Sequence, residues 1–182
     1  MKIFFYILLL VFSSCSNNND KEEVSIIINE LQLPICHELR SPVPSNYYDA
    51  QPFRENQHLG SDLNAPTGGN SDLGEPFFSI GEGKVTLAEN IGGGWGNVII
   101  IKHLLKDGRE IESLYGHADE IYVKEGDFVS IGDVIGSIGN NGGMYYAHLH
   151  FEIRKTATNI IGGGYSPDTS NHYDPTEFIL NY

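Results

Sequence analysis

The sequence predicts an all-β fold, a compact antiparallel β-sandwich or barrel-like hybrid with glycine-rich loops and a short C-terminal helix. Three observations carry this expectation. The stretch Ala147-His148-Leu149-His150-Phe151-Glu152-Ile153-Arg154 alternates polar and apolar residues without a slip, the period-two pattern of a strand with two different faces. Short aromatic and β-branched runs recur between turn signals such as Gly81, Gly92-Gly93-Gly94, Asp107-Gly108, Gly126-Asp127, Gly132-Asp133 and Asn141-Gly142-Gly143. The composition agrees, with 21 Gly, 8 Pro, 10 Tyr and 9 Phe in 182 residues. Eleven Lys and Arg stand against 24 Asp and Glu, for a net charge of -13. That balance argues against nucleic acid or an anionic membrane surface as an electrostatic partner. No internal repeat and no 20-residue apolar span is visible, so no helix is expected to cross a membrane.

Taken in order, Met1 to Cys15 reads as a targeting segment: Lys2, an apolar run from Ile3 to Phe12 too short to span a bilayer, then Ser13-Ser14-Cys15. An apolar run, two small residues and a cysteine resemble the lipobox of bacterial lipoproteins, with Phe12 where Leu is usual. The resemblance implies that Cys15 is lipidated and becomes the first residue of the mature chain, which leaves Cys36, the other cysteine, a free thiol. Residues 16–40 are expected to form a tether and N-terminal extension, because Ser16 to Glu23 is a polar, solvated run. Val24 to Leu33 is apolar enough for one short strand or helix. Cys36-His37 has metal-binding residue types, but a small buried thiol beside a surface histidine is the simpler reading. Pro42 and Pro44 mark an irregular entry to the main domain, residues 41–182.

His58 and Asp62 are four apart in His58-Leu59-Gly60-Ser61-Asp62. A regular strand would separate them by roughly 13 Å, too far to share an ion; a bend at Gly60 is expected to bring them together. Ala65 to Gly74 reads as a loop. Strands are expected at Pro76–Ile80, Lys84–Ala88, Asn97–His103, Arg109–Gly116, Glu120–Val123, Asp133–Ile138 and Tyr145–Arg154. Asp107-Gly108 is a hairpin signal. Tyr115 and His117 are two apart and are expected to share a face. Thr156 to Ser170 should form a rim loop. Asp174-Pro175-Thr176-Glu177 has capping-box spacing with proline at the first helical position, so a helix is expected over Pro175–Leu180.

In the 147–154 strand, Leu149, Phe151 and Ile153 should face a core, and His148, His150 and Glu152 the other side. Two histidines on one strand face suit a metal or a proton transfer; two solvated histidines are the plain alternative. A catalytic zinc takes three protein ligands from His, Asp and Glu and leaves one position open. His58, Asp62, His117, His148 and His150 supply two groups more than that, and the surplus suits proton transfer. Spacing alone leaves open which of His148 and His150 holds a metal.

His58-Leu59-Gly60-Ser61-Asp62, Tyr115-Gly116-His117 and His148-Leu149-His150-Phe151-Glu152 resemble, in order, the three motifs of the lysostaphin-type zinc endopeptidases, which cut peptidoglycan peptides. Gly92 to Val98, Val123 to Gly136 and Asp174-Pro175 also resemble that family, and the likeness covers about Ser41 to Tyr182. It implies that His58, Asp62 and His150 are zinc ligands. It implies that His117 and His148 are the unligated pair that handles protons and the transition state. Glu152 reads as a supporting residue, not a base. The implied partners are Zn²⁺ and peptidoglycan, with membrane attachment through the lipid anchor only. The implied location is the bacterial cell envelope, at the periplasmic face of the outer membrane or the cell surface. Tyr145-Tyr146-Ala147 and Ala118 depart from the usual family residues, which bears on substrate preference. His37, His103 and His172 match no motif and read as structural or surface histidines.

Two other functions compete with this one. A catalytically silent wall-binding regulator of other hydrolases would be marked by lost ligands, and here all are present. A carrier domain, suggested by the hairpin over Val123 to Gly139, needs a modifiable lysine, and Gly126 to Phe151 contains none.

Overall fold

The computed structural model describes residues 27–35, 47–155 and 161–182. Cys15, Cys36 and His37 lie outside them. In chain order the strands are β1 (Ile27–Ile28), β2 (Tyr48–Gln51), β3 (Ser61–Asn64), β4 (Pro76–Phe78), β5 (Gly83–Gly92), β6 (Gly96–Leu105), β7 (Glu110–Ile121), β8 (Phe128–Val129), β9 (Val134–Ile138), β10 (Leu149–Arg154) and β11 (His172–Tyr173), followed by one helix, α1 (Pro175–Asn181). The backbone path across the sheet runs β2-β3-β10-β7-β6-β5-β8, while β4 and β9 branch from β7, and β11 and β1 pair with β10 and β6. All of these pairs are antiparallel except β1 with β6. The all-β expectation holds.

Asp107-Gly108 makes the predicted hairpin between β6 and β7, with Gly108 at φ 83°. The helix is capped as its sequence indicates: the Asp174 carboxylate accepts the Glu177 backbone N–H at 3.0 Å and Pro175 occupies the first turn. Several boundaries shift by a few residues, and two of the differences bear on the site. The strands expected at Arg109–Gly116 and Glu120–Val123 are one continuous strand, β7, which exchanges its β6 and β10 neighbours for β9 along its length. The apparent break at Gly116-His117 is a bulge within a strand that keeps a partner on both sides of it. At the other site strand, β10 begins at Leu149, and His148 precedes it in an isolated pairing with Gly139.

The core lies where Leu149, Phe151 and Ile153, all fully buried, meet Tyr115, Phe77 and Ile135. Phe77 stacks on Tyr115 with ring centroids 5.5 Å apart, and the Phe151 ring lies 5.3 Å from Tyr115. Burial of Phe77 and of Phe151 contributes roughly 1.5–3 kcal/mol each. Ile28, Leu31, Leu33 and Ile35 belong to the same core, so part of the N-terminal extension is built into the folded unit. The polar face of β10 is not a wet surface. Glu152 and Arg154 are as buried as the apolar residues between them, and Arg154 meets the Glu112 carboxylate at 2.7 Å. A charge so placed has to be paired.

β10 also aligns the polar side chains of its neighbours. In register, His150 stands opposite Asp62 of β3 on one side and opposite Gly116 of β7 on the other. Residues far apart in sequence thus form one row across three strands.

Candidate metal centre

Three side chains converge at the end of this row. His58 Nε2 lies 3.3 Å from Asp62 Oδ1, His150 Nδ1 lies 3.0 Å from the same oxygen, and the two histidine nitrogens are 3.0 Å apart. His58 and His150 are buried, while the Asp62 side chain keeps 14% of its surface exposed. The predicted approach of His58 to Asp62 is present, but the role of Gly60 differs from expectation. Its φ is not in the left-handed region. A β-carbon there would lie 2.5 Å from the Phe151 carbonyl oxygen, so glycine is needed for close approach to β10, and not for an unusual bend.

Hydrogen bonds settle which atoms face the centre. His58 Nδ1 is 2.8 Å from the Gln51 carbonyl, which can only accept, so that nitrogen carries the proton and Nε2 is bare. His150 Nε2 donates to Glu152 Oε1 at 3.1 Å, which turns Nδ1 toward His58 and Asp62. Asp62 Oδ1 is the third such atom. His58 Nε2, His150 Nδ1 and Asp62 Oδ1 thus converge as possible ligand atoms, whose repulsion a proton between His150 and Asp62 or a metal ion would relieve. Their separations of 3.0 to 3.3 Å lie close to, and mostly below, the roughly 3.3–3.4 Å between corners of a tetrahedron with bonds of about 2.0–2.1 Å. This His-Asp-His group is the one set of three or more potential ligands that can hold a metal ion among the described residues.

Without a metal, charge is distributed as these contacts require. Burial opposes a charge on His150, but hydrogen bonds to Asp62 and Glu152 outweigh it and raise its pKa to about 9. Burial also opposes charge on Asp62, but His150 and then His58 beside it hold its carboxyl well below the usual range. Glu152 is lowered to about 2 despite its burial, through His150 and then His172.

His117 and His148 flank this centre. Their rings are 4.8 Å apart, and His117 is 5.7 Å from the His150 ring. His148 Nε2 lies 3.8 Å from Asp62 Oδ1. Each commits Nδ1 to a backbone carbonyl, His117 to Trp95 at 3.1 Å and His148 to Tyr146 at 2.8 Å, so Nε2 is the nitrogen left for chemistry. Burial, then the neighbouring His148 and His150, lowers His117 to about 4. The expectation that Tyr115 and His117 share a face is overturned. Tyr115 points into the core, whereas His117 turns to the metal side because its backbone adopts φ 60° at a register shift in β7. Left-handed backbone at a non-glycine residue is costly, and a β-bulge is the usual way to re-aim one side chain.

Several residues that the sequence reading did not single out support the centre. Trp95 packs edge-on against His150 at 5.0 Å. Gly116 makes room for it: a β-carbon there would sit 3.1 Å from the indole. Tyr165 lies 5.2 Å from His58 and bonds Gln51 Oε1 through its hydroxyl. His172 is not a free surface residue, because its Nε2 is 3.4 Å from Glu152 Oε2. His103, by contrast, lies in the interior between the Glu82 carbonyl and the Ser113 hydroxyl. The expected rim is present where the chain is described: residues Gly162 to Tyr165 form one wall of a cleft of about 390 Å³ over the centre. A second cleft of about 670 Å³, bounded by Asn64, Asn70, Met144 and Tyr146, shares Gln51, Asp62, Tyr145 and His148 with the first.

Comparison with known proteins points the same way. Over 94 residues the chain is 37% identical to lipoprotein NlpD of Yersinia enterocolitica, covering 52% of this chain and 92% of that one. It is 34% identical to the peptidoglycan DD-endopeptidase ShyA of Vibrio cholerae over 53% of this chain and 20% of the relative. It is 33% identical to the murein hydrolase activator NlpD of Escherichia coli over 57% and 27%. The last two matches thus span only a fifth to about a quarter of those relatives. Among solved structures, the catalytic domain of the antimicrobial peptidase lysostaphin from Staphylococcus simulans superposes with a TM-score of 0.53 at 27% identity, covering 72% of this chain and 89% of that domain. The model of peptidase family M23 matches residues 56–161, which hold every residue of the His-Asp-His group and both flanking histidines, and the chain belongs to that family.

Proposed function

We propose that the protein is a zinc-dependent endopeptidase that hydrolyses peptide bonds in peptidoglycan stem peptides or cross-links. In this reading His58, Asp62 and His150 hold the zinc, and His117 and His148 handle protons. The observation that carries it is the convergence of two imidazole nitrogens and one carboxylate oxygen, 3.0 to 3.3 Å apart, with two further imidazoles beside them. The donor set fits zinc, which takes imidazole nitrogen and carboxylate oxygen in tetrahedral sites. When bound, zinc supplies a Lewis acid and lowers the pKa of water at its open position toward ~7.

The chain's own groups do the rest. The Gln51 carbonyl and the Glu152 carboxylate fix the tautomers of His58 and His150, and so aim the correct nitrogens. His117 has its Nδ1 on the Trp95 carbonyl, so Nε2 is the nitrogen placed to accept a proton. His148, closer to Asp62 and to the wider cleft, suits stabilisation of the developing oxyanion or protonation of the leaving amine. Clefts on both sides of Asp62 and His148 allow a peptide to lie across the centre. A glycosidase would need a carboxylate pair flanking the bond, whereas histidines flank this one. We further propose lipidation at Cys15 and location in the bacterial envelope, supported by the lipobox resemblance and by a relative named as a lipoprotein.

The test is a digest of cross-linked muropeptides by the full chain, read by mass spectrometry. Dimers should become monomers with new amino and carboxyl ends and intact glycans, in a reaction stopped by a chelator and restored by zinc. Shortened glycans with untouched cross-links would overturn the endopeptidase reading. Zinc bound with no product would favour the regulator, a role that one relative's name carries.

A further inference from the structure

We infer that His172 is a positioning residue for the metal centre, the outer end of a chain His172–Glu152–His150 that fixes which nitrogen of His150 faces the metal. The inference rests on the metal-binding part of the proposal above. It starts from Glu152, which is wholly buried. One of its oxygens accepts from His150 Nε2 at 3.1 Å. The other, Oε2, is buried without a hydrogen bond of ordinary geometry, and the ring that faces it is His172, with Nε2 at 3.4 Å.

A carboxylate held at one oxygen can rotate and present either oxygen, or neither, to its partner. Held at both, it cannot. A charge buried this deeply also needs more than one donor to offset the water it has lost. The backbone puts His172 in reach: β11 pairs with β10 so that His172 stands opposite Arg154, one diagonal step from Glu152. Among the described residues no other polar contact explains the ring's orientation, since its Nδ1 is buried without a hydrogen-bond partner.

The consequence falls on His150. Its Nε2–H must stay on Glu152 for Nδ1 to stay aimed at His58 and Asp62. Carboxylates that hold a ligating histidine in this way commonly contribute 10–100-fold in metal affinity. His172 acts one group further out, and its loss should cost about tenfold, the low end of that range.

The experiment uses the full chain in mild detergent, stripped of metal and titrated with zinc against a chromophoric chelator. His172→Leu removes the donor, and should weaken zinc binding about tenfold. His172→Gln places an amide N–H where Nε2 was, and should restore affinity to within about threefold of wild type. His172→Asn carries the same amide one methylene short and should resemble Leu. The Gln and Asn variants keep a polar side chain of the same class, so their difference survives even if Leu unfolds the chain. Equal zinc affinity in wild type and His172→Leu, or in the Gln and Asn variants, would overturn the inference. Tight zinc binding by all variants with no muropeptide cleavage by wild type would sink the endopeptidase reading and this inference separately. A wild-type chain that binds no zinc overturns both.

Discussion

His103 and His150 are buried to the same degree, at 1% and 3% exposure, yet they go opposite ways. His103 is pushed down to about 4, chiefly by burial, because its partners are a carbonyl and a hydroxyl. His150 is lifted to about 9 against the same burial, because two carboxylates face it. Burial by itself expels charge from an imidazole; the partners decide whether a buried histidine is an inert hydrogen-bonding strut or part of a cation site. The fold places one kind in β6 and the other in β10, separated by the central strand β7.

The largest expected effect breaks the comparison outright. His150→Ala, like His58→Ala or Asp62→Ala, should leave the purified protein without zinc, whereas His103→Gln should keep one zinc per chain. Metal analysis of the four variants decides this, and a zinc-free His103→Gln would mean that the two sites are not independent. Next in size, His117→Ala and His148→Ala should retain the metal and lose turnover by about 10²–10⁴-fold. A zinc-free His148→Ala beside a zinc-replete His150→Ala would reverse the assignment of those two residues.

A third prediction uses pH. Unfolded, His103 gains its proton near 6.5; folded, only near 4. Between those values the unfolded chain holds more protons, so stability should fall as pH drops from about 6.5 to about 4, by roughly 3 kcal/mol in total from this residue. His117 is lowered to about 4 as well and adds to the same window. Urea midpoints across that range should therefore show a shallower slope in His103→Gln, and an unchanged slope would remove His103 as a source. The smallest effect is that of Ser113→Ala. It strips the donor from His103 Nε2 and should cost about 1–3 kcal/mol of stability, with zinc content untouched.

Much of this was legible in the sequence because it obeys short-range rules. The alternation of 149–154, the Asp107-Gly108 hairpin and the Asp174 cap each arise from residues within a few positions of one another. His58, Asp62 and His150 were legible as residue types, and the family likeness grouped them. Other features were not. The turning of His117 out of the core depends on one left-handed backbone angle, which Gly116 hints at but does not dictate. His172 meets Glu152 only because β11 returns along β10, a pairing set by the tertiary fold. The burial of Glu152 and Arg154 likewise depends on what covers the polar face of β10, and alternation alone reads such a face as wet.

The N-terminal strand has a consequence for distance. Because Ile28 is locked into the core, the chain between the proposed anchor at Cys15 and the folded body is at most residues 16–27. Whatever its conformation, that stretch reaches at most about 40 Å. If the proposed anchor and activity hold, the enzyme would work inside a shallow zone next to its membrane, and only wall that passes through the zone would be within range. Lengthening residues 16–27 should widen the zone, seen as faster release from intact sacculi at an unchanged rate on soluble muropeptides; equal rates on sacculi would show that attachment sets no limit. On the proposed function, the depth of wall within reach is thus set by how far Ile28 lies along the chain from Cys15.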